Sequence, residues 1–169
     1  MNSNKVYPDK LKTREEAPYF SLPSSRKEEI SLWQFKQKRN LIIIFYHGSK
    51  CTLCQKKLEE YSKIYEQAKE LEAEILAISF DSTNEIEDYM RKIPLPFPVL
   101  SDNKQEVAEK YTYKDYQRNS PVPSVFITDR FGVLYYQKIS REATELPSGK
   151  EILDWLIFMN IQCPECSHL

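Results

Sequence analysis

The 169-residue chain balances 24 Lys and Arg against 25 Asp and Glu, and 41% of its residues are apolar. At this length one domain is expected, burying roughly 70% of the surface of the unfolded chain, so its core needs no disulfide staples. A net charge of -1 provides no basic field for a nucleic-acid backbone. The longest unbroken apolar run, Leu41 to Tyr46, is far short of the roughly 20 residues of a membrane span. The amino terminus, Met-Asn-Ser-Asn-Lys-Val-Tyr-Pro, lacks the apolar core of a signal peptide, and a cytoplasmic location is expected. The four cysteines form two Cys-x-x-Cys pairs. Where thiols are kept reduced, such pairs are catalytic or metal-binding more often than structural.

Residues 1–16 are polar and charged and read as a mobile or loosely draped arm. Ala17 to Leu22 is an extended apolar segment ending in the turn Pro23-Ser24-Ser25. Leu41 to Tyr46 is apolar throughout and rich in β-branched residues, which predicts a strand buried on both faces. From Thr52 to about Leu71 the period changes: Leu58, Tyr61, Tyr65 and Ala68 recur at helical spacing, and an amphipathic helix leaves the strand through a short turn.

Ile75 to Phe80 is a second buried strand, and Ser82-Thr83-Asn84-Glu85 is a capping box opening a helix to about Arg91. Pro94, Pro96 and Pro98 end that helix and leave Phe97 to Leu100 as a short edge strand. Asp102 caps a short helix to about Tyr111, and Tyr113 to Pro121 is a polar loop. Ser124–Thr128 and Val133–Gln137 flank the turn Asp129-Arg130-Phe131-Gly132 and form an antiparallel hairpin. Ser148-Gly149-Lys150-Glu151 is a second capping box, followed by an apolar helix to about Ile161. The order is that of one α/β domain with parallel strands first and a hairpin last.

Cys51 and Cys54 follow the first long strand through His47-Gly48-Ser49-Lys50 and lie at the start of the long helix. Unpaired N–H groups and the positive end of the helix dipole favour an anion there, and Lys50 adds positive charge. Thiols at helix N-termini are correspondingly more reactive than free cysteine. The i, i+3 spacing can bring the sulfurs within bonding reach, so one can attack and the other resolve. His47 is a candidate proton carrier.

The strand, turn and helix bearing Cys51-Thr52-Leu53-Cys54, with Val122-Pro123-Ser124 leading into a late strand, resemble the thioredoxin fold. Its peroxiredoxin branch, the AhpC/TSA or redoxin-like proteins, is matched by Ala17-Pro18-Tyr19-Phe20-Ser21-Leu22, Phe97-Pro98-Val99-Leu100-Ser101-Asp102 and Val125 to Gly132. The resemblance implies a central mixed sheet flanked by helices over residues 17–161, with an N-terminal extension and a Cys-x-x-Cys tail at 162–169. It also implies that Pro123 is a cis-proline set against the dithiol. In the peroxidase pattern Pro-x-x-x-Thr/Ser-x-x-Cys, the cysteine aligns with Cys54, the Thr position holds Cys51 and the Pro position holds His47. The family's arginine would fall near Pro123, which leaves Arg118 as the nearest candidate. The resulting dithiol is of the thioredoxin kind, with Cys51 the nucleophile and Cys54 the resolving residue for disulfide exchange, and the two roles exchanged toward a peroxide as the alternative.

The function implied is a thiol-based oxidoreductase that cycles Cys51 and Cys54 to reduce disulfides or hydroperoxides. It requires no cofactor, draws electrons from a thioredoxin- or glutaredoxin-type reductant, and is compatible with a homodimer. The alternative is a non-enzymatic zinc- or copper-binding or redox-sensing module. In the tail, Cys163, Cys166 and His168 are zinc ligands, or the two thiols are a relay to the first pair, or the segment is redox-inert.

Overall fold

The computed structural model describes residues 7–162. The turn after Pro23 folds Ser21–Pro23 (β1) back on Glu29–Ser31 (β2) as an antiparallel ribbon. Asn40–Phe45 (β3) then runs through the middle of the molecule with all six residues buried. It leads into Thr52–Lys63 (α1), which is followed by Tyr65–Glu70 (α2), Ala73–Ser79 (β4) and Thr83–Lys92 (α3). The next elements are Val99–Ser101 (β5), Glu106–Tyr111 (α4), Lys114–Asp115 (β6) and Ser120–Pro121 (β7). Ser124–Thr128 (β8), Leu134–Ile139 (β9) and Gly149–Ile161 (α5) complete the chain.

The main sheet has the order β5-β4-β3-β8-β9. β3 pairs in parallel with β4 and antiparallel with β8, so Ile42 lies between Ile75 and Ile127. Its pleat divides the core in two. Ile42 and Ile44 face Leu58 and Tyr61 of α1, Ile86 of α3 and Leu156 of α5, while Leu41, Ile43 and Phe45 face Tyr111 of α4, Phe126 and the β1–β2 ribbon. An all-apolar strand is the expected signature of burial on both faces.

Both predicted capping boxes form. The Ser82 and Ser148 hydroxyls accept the N–H of Glu85 and Glu151, whose carboxylates accept the serine N–H in return. Asp102 caps α4 by accepting the N–H groups of Val107 and Ala108 at 3.3 and 2.8 Å.

Three expectations change. The long helix breaks at Ile64, whose N–H reaches back to Tyr61 as in a tight 3₁₀ turn. At this break Gly149, the first residue of α5, packs so closely on Ile64 that an added Cβ would stand 2.8 Å from Cγ2. The polar loop after α4 contains the β6–β7 hairpin, registered Lys114 to Pro121 and Asp115 to Ser120. Residues 11–16 are fixed along the outer edge of β9, and Tyr7 and Lys10 lie against Tyr113 and the end of α4. Arg14 donates to Leu134 O at 2.7 Å, Leu134 donates to Glu15 O at 2.9 Å, and Gln137 exchanges hydrogen bonds with the Leu11 backbone. An open sheet edge is a template for unwanted pairing, and this arm closes part of it.

Candidate active site

The chain leaves β3 through Tyr46 and the buried His47 and reverses at Gly48, whose φ of +118° is outside the range of other residues. A Cβ at Gly48 would stand 3.2 Å from both carboxylate oxygens of Asp81. That carboxylate approaches closely because it pins the turn, accepting the Ser49 N–H at 2.8 Å and the Ser79 hydroxyl at 3.1 Å. Gln55 closes the turn from the helix side by donating to Ser49 O at 2.7 Å. The two cysteines are therefore carried on a braced turn.

Cys51 is the N-cap of α1, and its sulfur accepts the N–H of Cys54 at 3.3 Å. This places the Cys51 sulfur where the helix dipole and unpaired N–H groups stabilise negative charge. Both cysteines are free thiols, Cys51 half-buried and Cys54 only 1% exposed. Burial, and then its hydrogen bond to Cys51, push the Cys54 thiol up. The ligand atoms of Cys51, Cys54 and His47 all lie within 4.8 Å of one another. The less buried sulfur is the one open to attack a substrate, and the buried one beside it is held as a protonated thiol.

His47 Nδ1 stands 3.8 Å from Cys51 Sγ. Burial and then the Arg118 charge hold the imidazole below its ordinary value, against the opposing pull of Asp115 and Glu142. A neutral imidazole beside a thiol can take its proton. Arg118 sits at the tip of the β6–β7 hairpin and brings Nη1 to 3.3 Å from His47 Nε2. Its guanidinium is held by Glu142 at 3.0 Å and by Asp115 at 3.4 Å.

Among the residues expected at the site, His47, Cys51, Cys54 and Arg118 converge. Lys50 is exposed, and its charge bears on Glu85. Pro123 is buried just before β8, at the end of the sheet where the chain leaves β3, because Phe45 is registered with Ser124. The expected cis-proline is corrected: all described peptide bonds are trans. The Val122 N–H donates to Tyr113 O and Pro123 O accepts the Ser140 N–H, each at 2.9 Å.

Cys163, Cys166 and His168 lie outside the described residues. The last turn of α5 docks at the start of β3, where Asn160 accepts from Asn40 at 2.9 Å and donates to Leu71 O at 3.1 Å. β3 places roughly 20 Å between that point and the cysteine turn. As for a metal, no fourth His, Cys, Asp or Glu ligand atom joins His47, Cys51 and Cys54 among the described residues.

Asp81, Asp115 and Glu142 were not expected at the site. Asp81 had a legible signal, being a carboxylate just past the C-terminal end of a strand parallel to β3, where open α/β sheets build their sites. Asp115 and Glu142 had none, since both reach the site across loops distant in sequence.

The model of the AhpC/TSA family matches residues 13–137. The chain belongs to the AhpC/TSA family. It is 28% identical over 138 residues to the thiol-disulfide oxidoreductase ResA of Bacillus thuringiensis subsp. konkukian (strain 97-27), covering 81% of this chain and 75% of that protein. It is also 28% identical over 134 residues to a chloroplastic peroxiredoxin Q of Oryza sativa subsp. japonica, covering 79% of this chain and 61% of that one. The fold is shared with Enterococcus faecalis AhpC, at a TM-score of 0.80 and 17% identity over 88% of this chain and 92% of that one. The reduced 2-Cys peroxiredoxin of Plasmodium vivax superposes similarly, at a TM-score of 0.79 and 20% identity, covering 89% of this chain and 97% of that one. The AhpC/TSA assignment establishes the expected peroxiredoxin-like thioredoxin fold and a thiol-based redox chemistry.

Proposed function

We propose that the protein is a dithiol oxidoreductase that reduces disulfides, with Cys51 attacking and Cys54 resolving. The observation that carries this reading is the unequal exposure of two sulfurs at one helix start, Cys51 half-buried and Cys54 1% exposed. In the first step His47 takes the Cys51 proton, and the thiolate attacks one sulfur of the substrate disulfide. A bond forms between Cys51 and that sulfur, the substrate S–S bond breaks, and the leaving thiolate takes up a proton. Cys54 then gives up its proton and attacks Cys51 Sγ, forming the Cys51–Cys54 disulfide and releasing the second substrate thiol. Two electrons have passed to the substrate, and a thioredoxin- or glutaredoxin-type dithiol restores the pair.

Hydroperoxide reduction by the same dithiol is a second reading, favoured by the Arg118 guanidinium 3.3 Å from His47. There the Cys51 thiolate attacks a peroxide oxygen and the O–O bond breaks, the leaving oxygen taking up a proton and departing as alcohol or water; the sulfenic acid then condenses with the Cys54 thiol, forming the disulfide and releasing water. Positioned donors are what polarise such a bond.

The test compares disulfide reduction with hydroperoxide consumption in wild type, Cys51→Ser and Cys54→Ser, each with an external dithiol as reductant. Loss of disulfide turnover in both variants is expected. Retention of turnover in Cys51→Ser contradicts the assignment, and absence of either turnover in wild type with stoichiometric bound zinc favours a metal-binding module.

A further inference from the structure

Arg118 Nη1 stands 3.3 Å from His47 Nε2 and 3.5 Å from Nδ1. An atom nearly equidistant from both ring nitrogens at this range lies over the face of the imidazole, because an in-plane position would collide with the carbon between them. Neither nitrogen is therefore taken by the guanidinium. Of the other groups near the ring, Cys51 Sγ is 3.8 Å from Nδ1 and Asp115 Oδ2 is 3.7 Å from Nε2. Nucleophile, base and carboxylate stand in the sequence by which a third group orients a catalytic base. Such contacts are often long in the free enzyme and tighten when substrate is bound.

The Asp115 carboxylate is itself oriented. Its Oδ1 accepts the backbone N–H groups of Gln117 and Arg118 at 3.0 and 3.2 Å, closing the β6–β7 turn. That fixes the rotamer and leaves Oδ2 for His47 and for Arg118 Nη1 at 3.4 Å. Asp115 is 20% exposed at its side chain and His47 4%, so the pair is partly screened from water.

We propose that Asp115 is a positioning residue for His47, selecting the tautomer that carries its proton on Nε2 and offers the Nδ1 lone pair to the Cys51 thiol, while Arg118 over the ring opposes the imidazolium. The assignment rests on Cys51 being the attacking thiol. Asp115 acts on Cys51 through His47, and it also helps to hold Arg118 at 3.4 Å. When Nδ1 takes the Cys51 proton the imidazolium carries a proton on each nitrogen, and the Asp115 carboxylate faces the Nε2 proton. Arg118 disfavours that state, so the proton is readily passed on to the leaving thiolate. The charged and titratable groups around His47 are Asp115 and Arg118 from the hairpin, Glu142 from the segment after β9, and Cys51 and Cys54 from α1. Tyr7 is raised by burial and then by the Asp115 charge, against the opposing pull of Arg141.

Asn at position 115 separates this role from the turn. Its amide oxygen still accepts the two backbone N–H groups, while its NH₂ faces Nε2 as a donor and favours the Nδ1–H tautomer. The chain has two histidines, so nitrogen-15 NMR of the reduced full-length protein reads His47 directly with His168 as internal reference. Nε2–H is expected in wild type, and Nδ1–H in Asp115→Asn. The His47 titration should move down by about half a pH unit or more in Asp115→Asn and up by a similar amount in Arg118→Gln. A purely structural disturbance does not produce shifts of opposite sign. An Nδ1–H tautomer in wild type, or an absent or same-signed shift in the two variants, overturns the proposal. Disulfide turnover with Cys51→Ser, measured separately, tests the underlying dithiol reading: the tautomer can fail while turnover stands, and the reverse.

Discussion

Cys54 gives its backbone N–H to the sulfur of Cys51 at 3.3 Å while its own sulfur is buried beside it. One residue thus stabilises the first thiolate through its backbone and holds the second thiol in reserve through burial. This division has a consequence for rate against pH. Burial and the hydrogen bond to Cys51 push the Cys54 thiol up, so resolution needs that proton removed. Single-turnover formation of the mixed disulfide should outpace its resolution at neutral pH, with the gap closing as pH rises. Rapid-quench mass analysis across pH checks this.

The braced turn predicts the effect of filling Gly48. Alanine there meets a φ of +118° and the Asp81 carboxylate at 3.2 Å. Gly48→Ala should lose roughly 1–3 kcal/mol of stability and slow Cys51 alkylation, because the Ser49 N–H to Asp81 bond is disturbed. Denaturant unfolding and iodoacetamide kinetics measure the two effects.

His47 gives a stability signature with a definite sign. Its imidazole is held below the ordinary 6.5 by burial and then by Arg118. The unfolded chain therefore binds that proton more tightly, and the contribution to stability falls as pH drops through 6.5 toward the folded value. Wild type should lose more stability than His47→Gln between about pH 7 and about pH 5, in the range of ordinary histidine titration. Equal losses in urea unfolding contradict this account of the site.

The α5 start carries two separate contributions. Ser148→Ala removes a capping-box acceptor and should cost about 1 kcal/mol. Gly149→Ala drives a methyl to 2.8 Å from Ile64 and should cost about 1–3 kcal/mol by overpacking. Unfolding curves for the two variants check both magnitudes.

The strands and capping boxes were legible because each is a local pattern: alternation or a full apolar run for β3 and β8, and Ser-x-x-Glu for α3 and α5. The dithiol was legible for the same reason, as strand, turn and helix are contiguous. What was not legible depends on contacts between distant segments. Nothing around Ile64 signals a break, and its close neighbour there is Gly149 of α5, far along the chain. The charged arm reads as loose until Arg14 and Glu15 are seen paired to Leu134. Asp115 and Glu142 join the site only because the β6–β7 hairpin and the segment after β9 fold over His47. Pro123 showed the reverse, in which a family resemblance carried a cis geometry where the peptide bond is trans.

The order of attack is tested most directly by trapping. Cys54→Ser protein is mixed with a small symmetrical disulfide, quenched in acid, and the adduct located by fragmentation mass spectrometry. The account predicts a stable mixed disulfide on Cys51, with little adduct on Cys54 when Cys51→Ser is treated in the same way. An adduct that forms readily on Cys54 in Cys51→Ser, with Cys51 unmodified in Cys54→Ser, contradicts it.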